Sequence, residues 1–179
     1  MKTTWKIDEV HSDVQFKIKH LVISTVTGSF GKFSAEAETN GDDFEGGKIN
    51  FSADVNSIST GNEQRDGHLK SADFFDTANH PTVDFVSTKV EKADDGYKVH
   101  GNLTLRGVTK PVALNVEFGG TAKDPYGNFK AGFEVSGKIN RSEFGLTWGA
   151  VTEAGGMVVS DEVKIAANVQ MLKVVPATA

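Results

Sequence analysis

The chain has 179 residues, a net charge of −5 and a pI near 5.5, long enough to bury about two thirds of its unfolded surface and most simply one domain over 1–179, ordered from about residue 3 to 174. Its acidity speaks against a nucleic-acid footprint, which needs Lys and Arg gathered on one face, and the lack of cysteine excludes disulfides and thiolate metal sites. No stretch approaches an apolar membrane span, and the opening MKTTWKIDEVHS runs into polar alternating sequence without a signal peptide's apolar core, which reads as cytoplasmic, or as periplasmic had a leader been removed.

Almost the whole chain alternates with a period of two. Trp5 and Ile7 open the pattern; Val14, Phe16, Ile18 and His20 then share one face, with Gln15, Lys17 and Lys19 on the other. Phe33, Ala35 and Ala37 oppose Glu36 and Glu38, and Ile49, Phe51, Ala53 and Val55 oppose Asn50, Ser52 and Asp54. Each reads as a half-buried strand. Further on come Val83 and Phe85, then Tyr97 to Leu105, Val112 to Phe118, Phe129 to Gly137, and Val159 to Met171, for about eight or nine strands in all. Turn signals separate them, among them Asn40-Gly41-Asp42, Asp94-Asp95-Gly96 and Asp124-Pro125-Tyr126-Gly127-Asn128, all short enough for antiparallel hairpins.

One segment breaks the pattern. Arg65 to Asp76, RDGHLKSADFFD, reads as a short amphipathic helix with Arg65, His68, Leu69 and Ala72 on one side, Phe75 at its edge, and Asp66, Lys70 and Asp73 on another. Gly67 costs it roughly 1 kcal/mol against Ala, so it depends on packing through Leu69, Ala72 and Phe75, as a lid over an apolar hole or a surface helix closing the core.

Strands with one apolar face must stack as a sandwich or close as a barrel, and small residues such as Ala35, Ala53, Gly101 and Ala131 set among the phenylalanines suit either a tapering cavity or an interdigitated core. Five histidines, His11, His20, His68, His80 and His100, include no pair at the helical spacing of a zinc motif, so no metal site is expected. His20 ends an apolar face and places a polar group near one end. Arg106 to Pro111 reads as a solvated hairpin, and Arg141 to Leu146, with Trp148 just beyond, as a rim or a plug at a sheet end. No phosphate loop or nucleophile elbow is present, and Arg65, Asp66 and His68 point in different directions with no nucleophile beside them, so catalysis is not expected.

Taken in order, Trp5 to Asp8, His11 to Phe16 and on to His20, Val26 to Phe30, Ser57 to Thr60, Arg65 to Leu69, Ser71 to Asp76, His80-Pro-Thr82, Gly101 to Gly107 and Arg141 to Gly145 resemble the YceI-like, polyisoprenoid-binding protein family across essentially the whole chain. The resemblance implies an all-β fold, an eight-stranded antiparallel barrel of lipocalin-like shape with the short helix beside it. It implies binding, sequestration or transport of a long-chain isoprenoid or fatty-acid-like lipid in the lumen, without catalysis and without a cofactor. A homodimer stays open, as do a lipid-modifying enzyme and a β domain with a filled core. On such a barrel Phe16, Ile18, Phe33, Phe51, Ala53, Phe85, Leu103 and Leu114 are expected to line the lumen. Val116, Phe118, Ala131, Phe133, Val135, Phe144 and Trp148 complete it, and His20, Arg65, His68, Leu69 and Phe75 are expected at the mouth.

Overall fold

The computed structural model describes residues 2–20, 23–146 and 159–174, leaving aside the side chains of His20 and Val159. Its strands are β1 (Lys2–Ile7), β2 (Asp13–His20), β3 (Ser24–Phe30), β4 (Phe33–Asn40), β5 (Asp43–Asp54) and β6 (Ile58–Ser59), then β7 (Thr82–Ala93), β8 (Gly96–Leu105), β9 (Val108–Lys123), β10 (Phe129–Asn140) and β11 (Val159–Lys173). A helix, α1 (Glu63–Lys70), stands between β6 and β7, and single 3-10 turns come after β5 and β10.

These strands fill eight positions in one wall. β1 and β2 lie end to end along β11, which takes Ile7 opposite Met171 and Val14 opposite Ala167. β3 and β4 continue each other in the next position, and β5 and β6 in the one after, each antiparallel to the composite strand before it. From β5 the chain meanders through β7, β8, β9 and β10 to β11, and β11 on β1 shuts the ring. The result is the closed eight-stranded antiparallel barrel, not the sandwich. Closure gives each of the eight positions a paired neighbour on both sides, which is how an all-antiparallel sheet with one apolar face avoids pairing with other chains.

The composite strands bend at a common corner. The Gly31 N–H donates to the Ser57 carbonyl, the Lys32 N–H to the Ser57 hydroxyl, and Asp54 caps the turn by accepting from the Asn56 N–H. The two-residue turn between Leu105 and Val108 places Arg106 and Gly107 at φ 50° and 73°, as a tight hairpin matched to the strand twist requires. Inside, rings lie across glycines of the neighbouring strand: Phe16 over Gly28 and Phe85 over Gly101, where a Cβ would overlap the ring.

One end of the barrel is packed solid. Trp5, Thr39, Phe44 and Ala131 are buried there, the indole of Trp5 standing 4.9 Å from the Phe44 ring and 6.1 Å from that of Phe129. No helix among the described residues is long and apolar enough to cross a membrane.

Candidate functional site

Above that packed layer the barrel is hollow. A cavity of about 660 Å³ runs up the axis from Ile7, Phe44, Tyr97 and Met171 to Thr60, Arg65, His68 and Arg141 at the far end. Its wall is almost wholly hydrocarbon, because the alternating strands turn their apolar residues inward and their Lys, Glu and Asn outward. Cavities of roughly 300–1,000 Å³ hold drug-sized ligands, and this one falls within that range. It opens beside α1, where Asn62, Gln64 and Arg65 border the cavity and are themselves exposed.

Of the residues expected in the lumen, Phe16, Ile18, Phe51, Ala53, Phe85 and Leu103 line the cavity, as do Leu114, Val116, Phe133 and Val135. Four others sit elsewhere. Phe33 is buried but packs against Phe51, ring centroids 6.4 Å apart, behind the lining. Ala131 lies in the packed end, opposite Met171 and Thr121, only 1% exposed and below the hollow. Phe118 is 39% exposed and does not line the cavity; it faces Phe133 just before the register shift at Gly132, and its ring packs against that of Phe133 at 5.5 Å. Phe144 is fully buried in the 3-10 turn after β10 and does not line the cavity. Trp148 lies outside the described residues. His20 ends β2 opposite Ser24 and Val159, and its side chain likewise lies outside them.

The mouth is built by α1 and the turns C-terminal to it, differently from the expected helix over 65–76. The helix begins at Glu63, where the Asn62 side chain accepts from the Arg65 N–H, and stops at Lys70, because Ser71 is extended and its hydroxyl donates to the His68 carbonyl. Asp76, at φ 49°, then turns the chain, with the Phe75 N–H on the Leu69 carbonyl and the Thr77 N–H on that of Lys70. Ala72 is consequently exposed, not buried, and its carbonyl accepts from Arg106, whose other arm reaches the Gly145 carbonyl. Phe74 and Phe75 point inward in its place: Phe74 stands edge-on to the His68 ring at 5.1 Å, and Phe75 edge-on to Phe30 at 6.4 Å. Leu69 and Phe75, expected at the mouth, line the cavity together with Phe74.

Arg65 and His68 border the opening. The guanidinium of Arg65 donates from Nε to the Thr60 hydroxyl at 2.7 Å and from Nη2 to the Thr60 carbonyl at 2.8 Å, tying α1 to the end of β6. Asp66, on the same side of the expected helix as Lys70 and Asp73, accepts from the Thr60 N–H and hydroxyl. His68 pairs with Asp73 through Nε2 at 2.8 Å.

A second cation reaches the cavity from the opposite wall. Arg141 is 5% exposed, with Nε on the Ser160 carbonyl at 2.8 Å and Nη1 on the Leu146 carbonyl at 2.6 Å. Burial pulls its pKa down, while the Asp161 carboxylate, which accepts from the Ser142 N–H and hydroxyl, offsets part of that cost. Sequence reasoning placed Arg141 in a rim but not among the mouth residues, and missed Asn62, whose position three residues before Arg65 marks it as a helix cap. Among the described residues no three His, Asp or Glu side chains converge as a metal ion would require.

The YceI-like domain model matches residues 5–171, nearly the whole barrel. The chain belongs to the YceI-like family. A UPF0312 protein of Staphylococcus epidermidis is 38% identical over 94% of this chain and 96% of its own length, and one of Pectobacterium atrosepticum is 41% identical over 76% and 71%. Among solved structures, BcnA of Burkholderia cenocepacia superposes with a TM-score of 0.79 at 25% identity, covering 92% of this chain and 98% of that one. The YceI protein of Campylobacter jejuni gives 0.75 at 36% identity, covering 94% and 96%. A polyisoprenoid-binding domain from Saccharophagus degradans shares the fold at 0.66 and 19% identity, covering 95% and 98%.

Proposed function

We propose that this YceI-like barrel binds a long-chain polyisoprenoid, or a lipid of similar length such as a fatty acid, inside its lumen, and sequesters or carries it without transforming it. The observation that supports this most is the hydrocarbon-lined hollow of about 660 Å³ that ends on a packed aromatic floor and opens beside Arg65, with the buried Arg141 on the opposite wall. Burying a CH₂ group is worth roughly 0.8 kcal/mol, so about twenty carbons give a gross gain on the order of 16 kcal/mol, against association and ordering costs of about 4–15 kcal/mol. Chain length therefore governs affinity more than the chemistry of the tail, and the head group is selected at the mouth by Arg65, His68 and Arg141. The polar groups there are engaged with one another, Thr60 with Arg65 and Asp66 and His68 with Asp73, an arrangement suited to holding a head group and not to activating a nucleophile.

The test is mass spectrometry of an organic extract of the purified protein, paired with uptake of isoprenoids offered in detergent. A bound lipid recovered at the same mass before and after prolonged incubation supports the reading. Empty extracts together with no uptake refute it, and a product of altered mass refutes the non-catalytic part.

A further inference from the structure

Arg65 and Arg141 border the cavity, whereas Arg106, the remaining arginine of the chain, does not. Arg106 stands at φ 50° in the two-residue turn before Gly107, a position that asparagine, aspartate or glycine usually takes. A left-handed backbone under a long side chain is a local cost that the turn itself does not require. The guanidinium gives the reason for it: Nη1 donates to the Gly145 carbonyl and Nη2 to the Ala72 carbonyl, each at 2.8 Å.

The two carbonyls belong to unlike partners. Gly145 lies in the 3-10 turn after β10, where its own N–H donates to the Ser142 carbonyl and the buried Arg141 holds the carbonyl of Leu146. That side is fixed. Ala72 lies in the segment after α1, whose backbone hydrogen bonds close on the segment itself: the Phe74 and Asp76 N–H groups on the Ser71 carbonyl, Thr77 on Lys70, and His80 on Asp76. α1 and residues 71–80 thus make one unit, which sets Leu69, Phe74 and Phe75 against the cavity. Its near end is held to Thr60 by Arg65 and Asp66, one residue before Gly61 at φ 83°. Its far end, beyond the eight residues of α1, is held by Arg106 and by the His80 ring against Gly107, where a Cβ would come within 2.8 Å of that ring.

We propose that α1 with residues 71–80 is a lid over the mouth, pivoting at Gly61, and that Arg106 is the positioning residue that clasps its far end and sets how fast a lipid enters and leaves. Hinges of this kind are a few residues at the end of an element. Leu69, Phe74 and Phe75 meet hydrocarbon, whose contacts have no direction, whereas Nη2 must release the Ala72 carbonyl before the far end lifts. Arg106 meets no ligand, so the clasp closes over an empty and a filled lumen alike, and its loss speeds entry and exit together with little change in affinity. This rests on the lipid-binding reading above.

Arg106→Asn tests it, because Asn-Gly is the pair that such a turn favours, and the hairpin keeps its shape while the guanidinium goes. The probe is methyl parinarate, a fluorescent lipid without charge, so the lost charge does not itself alter its uptake. Stopped-flow uptake by the intact protein, and release into excess vesicles, should both quicken about tenfold, the size of one lost hydrogen bond from a charged donor. Affinity should stay within about twofold, and the lipid-free variant should melt at or above wild type. Arg106→Lys, which keeps the charge but reaches a single carbonyl, should fall between the two. Unchanged rates in Arg106→Asn overturn the clasp. Faster release without faster uptake would place Arg106 on the bound lipid, and faster exchange in a variant that melts clearly below wild type would make it a strut of the fold; either overturns the clasp while leaving lipid binding intact. If wild type takes up neither methyl parinarate nor geranylgeraniol, the lipid reading itself fails, and the clasp with it.

Discussion

The indole Nε1–H of Trp5 donates to the hydroxyl of Thr39 at 2.9 Å between two neighbouring strands, and neither residue is more than 2% exposed. Thr39 in turn donates to the Gly41 carbonyl, so the floor of the barrel is held by a chain of hydrogen bonds as well as by aromatic packing. That chain makes the floor rigid enough to bound a cavity.

Trp5→Phe removes the donor and part of the ring from a site with no room to relax, so it should destabilise the lipid-free protein by about 2–3 kcal/mol. Chemical denaturation of delipidated wild type and variant reads this directly. A loss below about 0.5 kcal/mol would mean that the floor collapses around the smaller ring and is not the rigid layer described.

Ala131 and Val135 share one face of β10 but differ in depth, and tryptophan at each separates floor from lumen. Ala131→Trp meets Met171 and the packed floor, so overpacking should cost about 1–3 kcal/mol. Val135→Trp projects into the hollow, so thermal melts of the lipid-free variant should match wild type while lipid uptake falls sharply. If the two variants behave alike in both assays, the boundary between floor and cavity is misplaced.

The faces of the strands were legible because period-two alternation reports directly which side is buried: Tyr97, Val99, Leu103 and Leu105 all turn inward as their spacing demands. Depth along a strand was not legible, since alternation treats Ala131 and Val135 alike, and it takes the register with β9 and β11 to separate them. Phe118 shows the same gap: two residues beyond Val116 it falls past the hollow, where its ring packs against that of Phe133 at 5.5 Å and stays 39% exposed. The helix was found but drawn too long. A 100° pattern carries Ala72 and Phe75 onto the stripe of Leu69, whereas Ser71 caps the helix and Asp76 reverses the chain, so Phe74 and Phe75 enter from a turn. The pairing of β5 with β7 stops at Asn50 and Val86, and Gly46-Gly47 carries a signal of that irregularity, but a pair of glycines alone does not distinguish a bulge from a hairpin.

Asp8 gives the barrel an acid limb. Burial alone would raise its carboxyl pKa, but hydrogen bonds from Lys130 at 2.9 Å and His11 at 2.8 Å, with the attraction of both cations, outweigh burial and hold it at about 2 against an ordinary 3.8. Because the folded value is the lower one, this pair stabilises the protein above the unfolded pKa and is lost as pH falls from about 4 to 2, a contribution of about 2 kcal/mol. Denaturant melts across that window should show a steeper loss for wild type than for Asp8→Asn. Parallel curves would mean the pair contributes nothing to folding.

Arg65 has two tasks open to it, and they separate by ligand. As a latch, its Nε and Nη2 hold Thr60 and so fix α1 at the mouth; as a head-group cation, the same exposed guanidinium meets an anionic ligand at the rim of the cavity. Loss of a latch lets the helix move and weakens every lipid equally. A lost charge-assisted hydrogen bond, worth about 1.5–3 kcal/mol, weakens only the anion, by roughly ten- to a hundredfold. Arg65→Ala should therefore impair a prenyl phosphate at least about tenfold more than the matching prenyl alcohol. Thr60→Val frees Nε of Arg65 but leaves its charge in place, so it should lower the affinity for both ligands by the same small factor. If Arg65→Ala also lowers both equally, Arg65 only latches the helix and selection of the head group falls to His68 or to the buried Arg141 across the cavity.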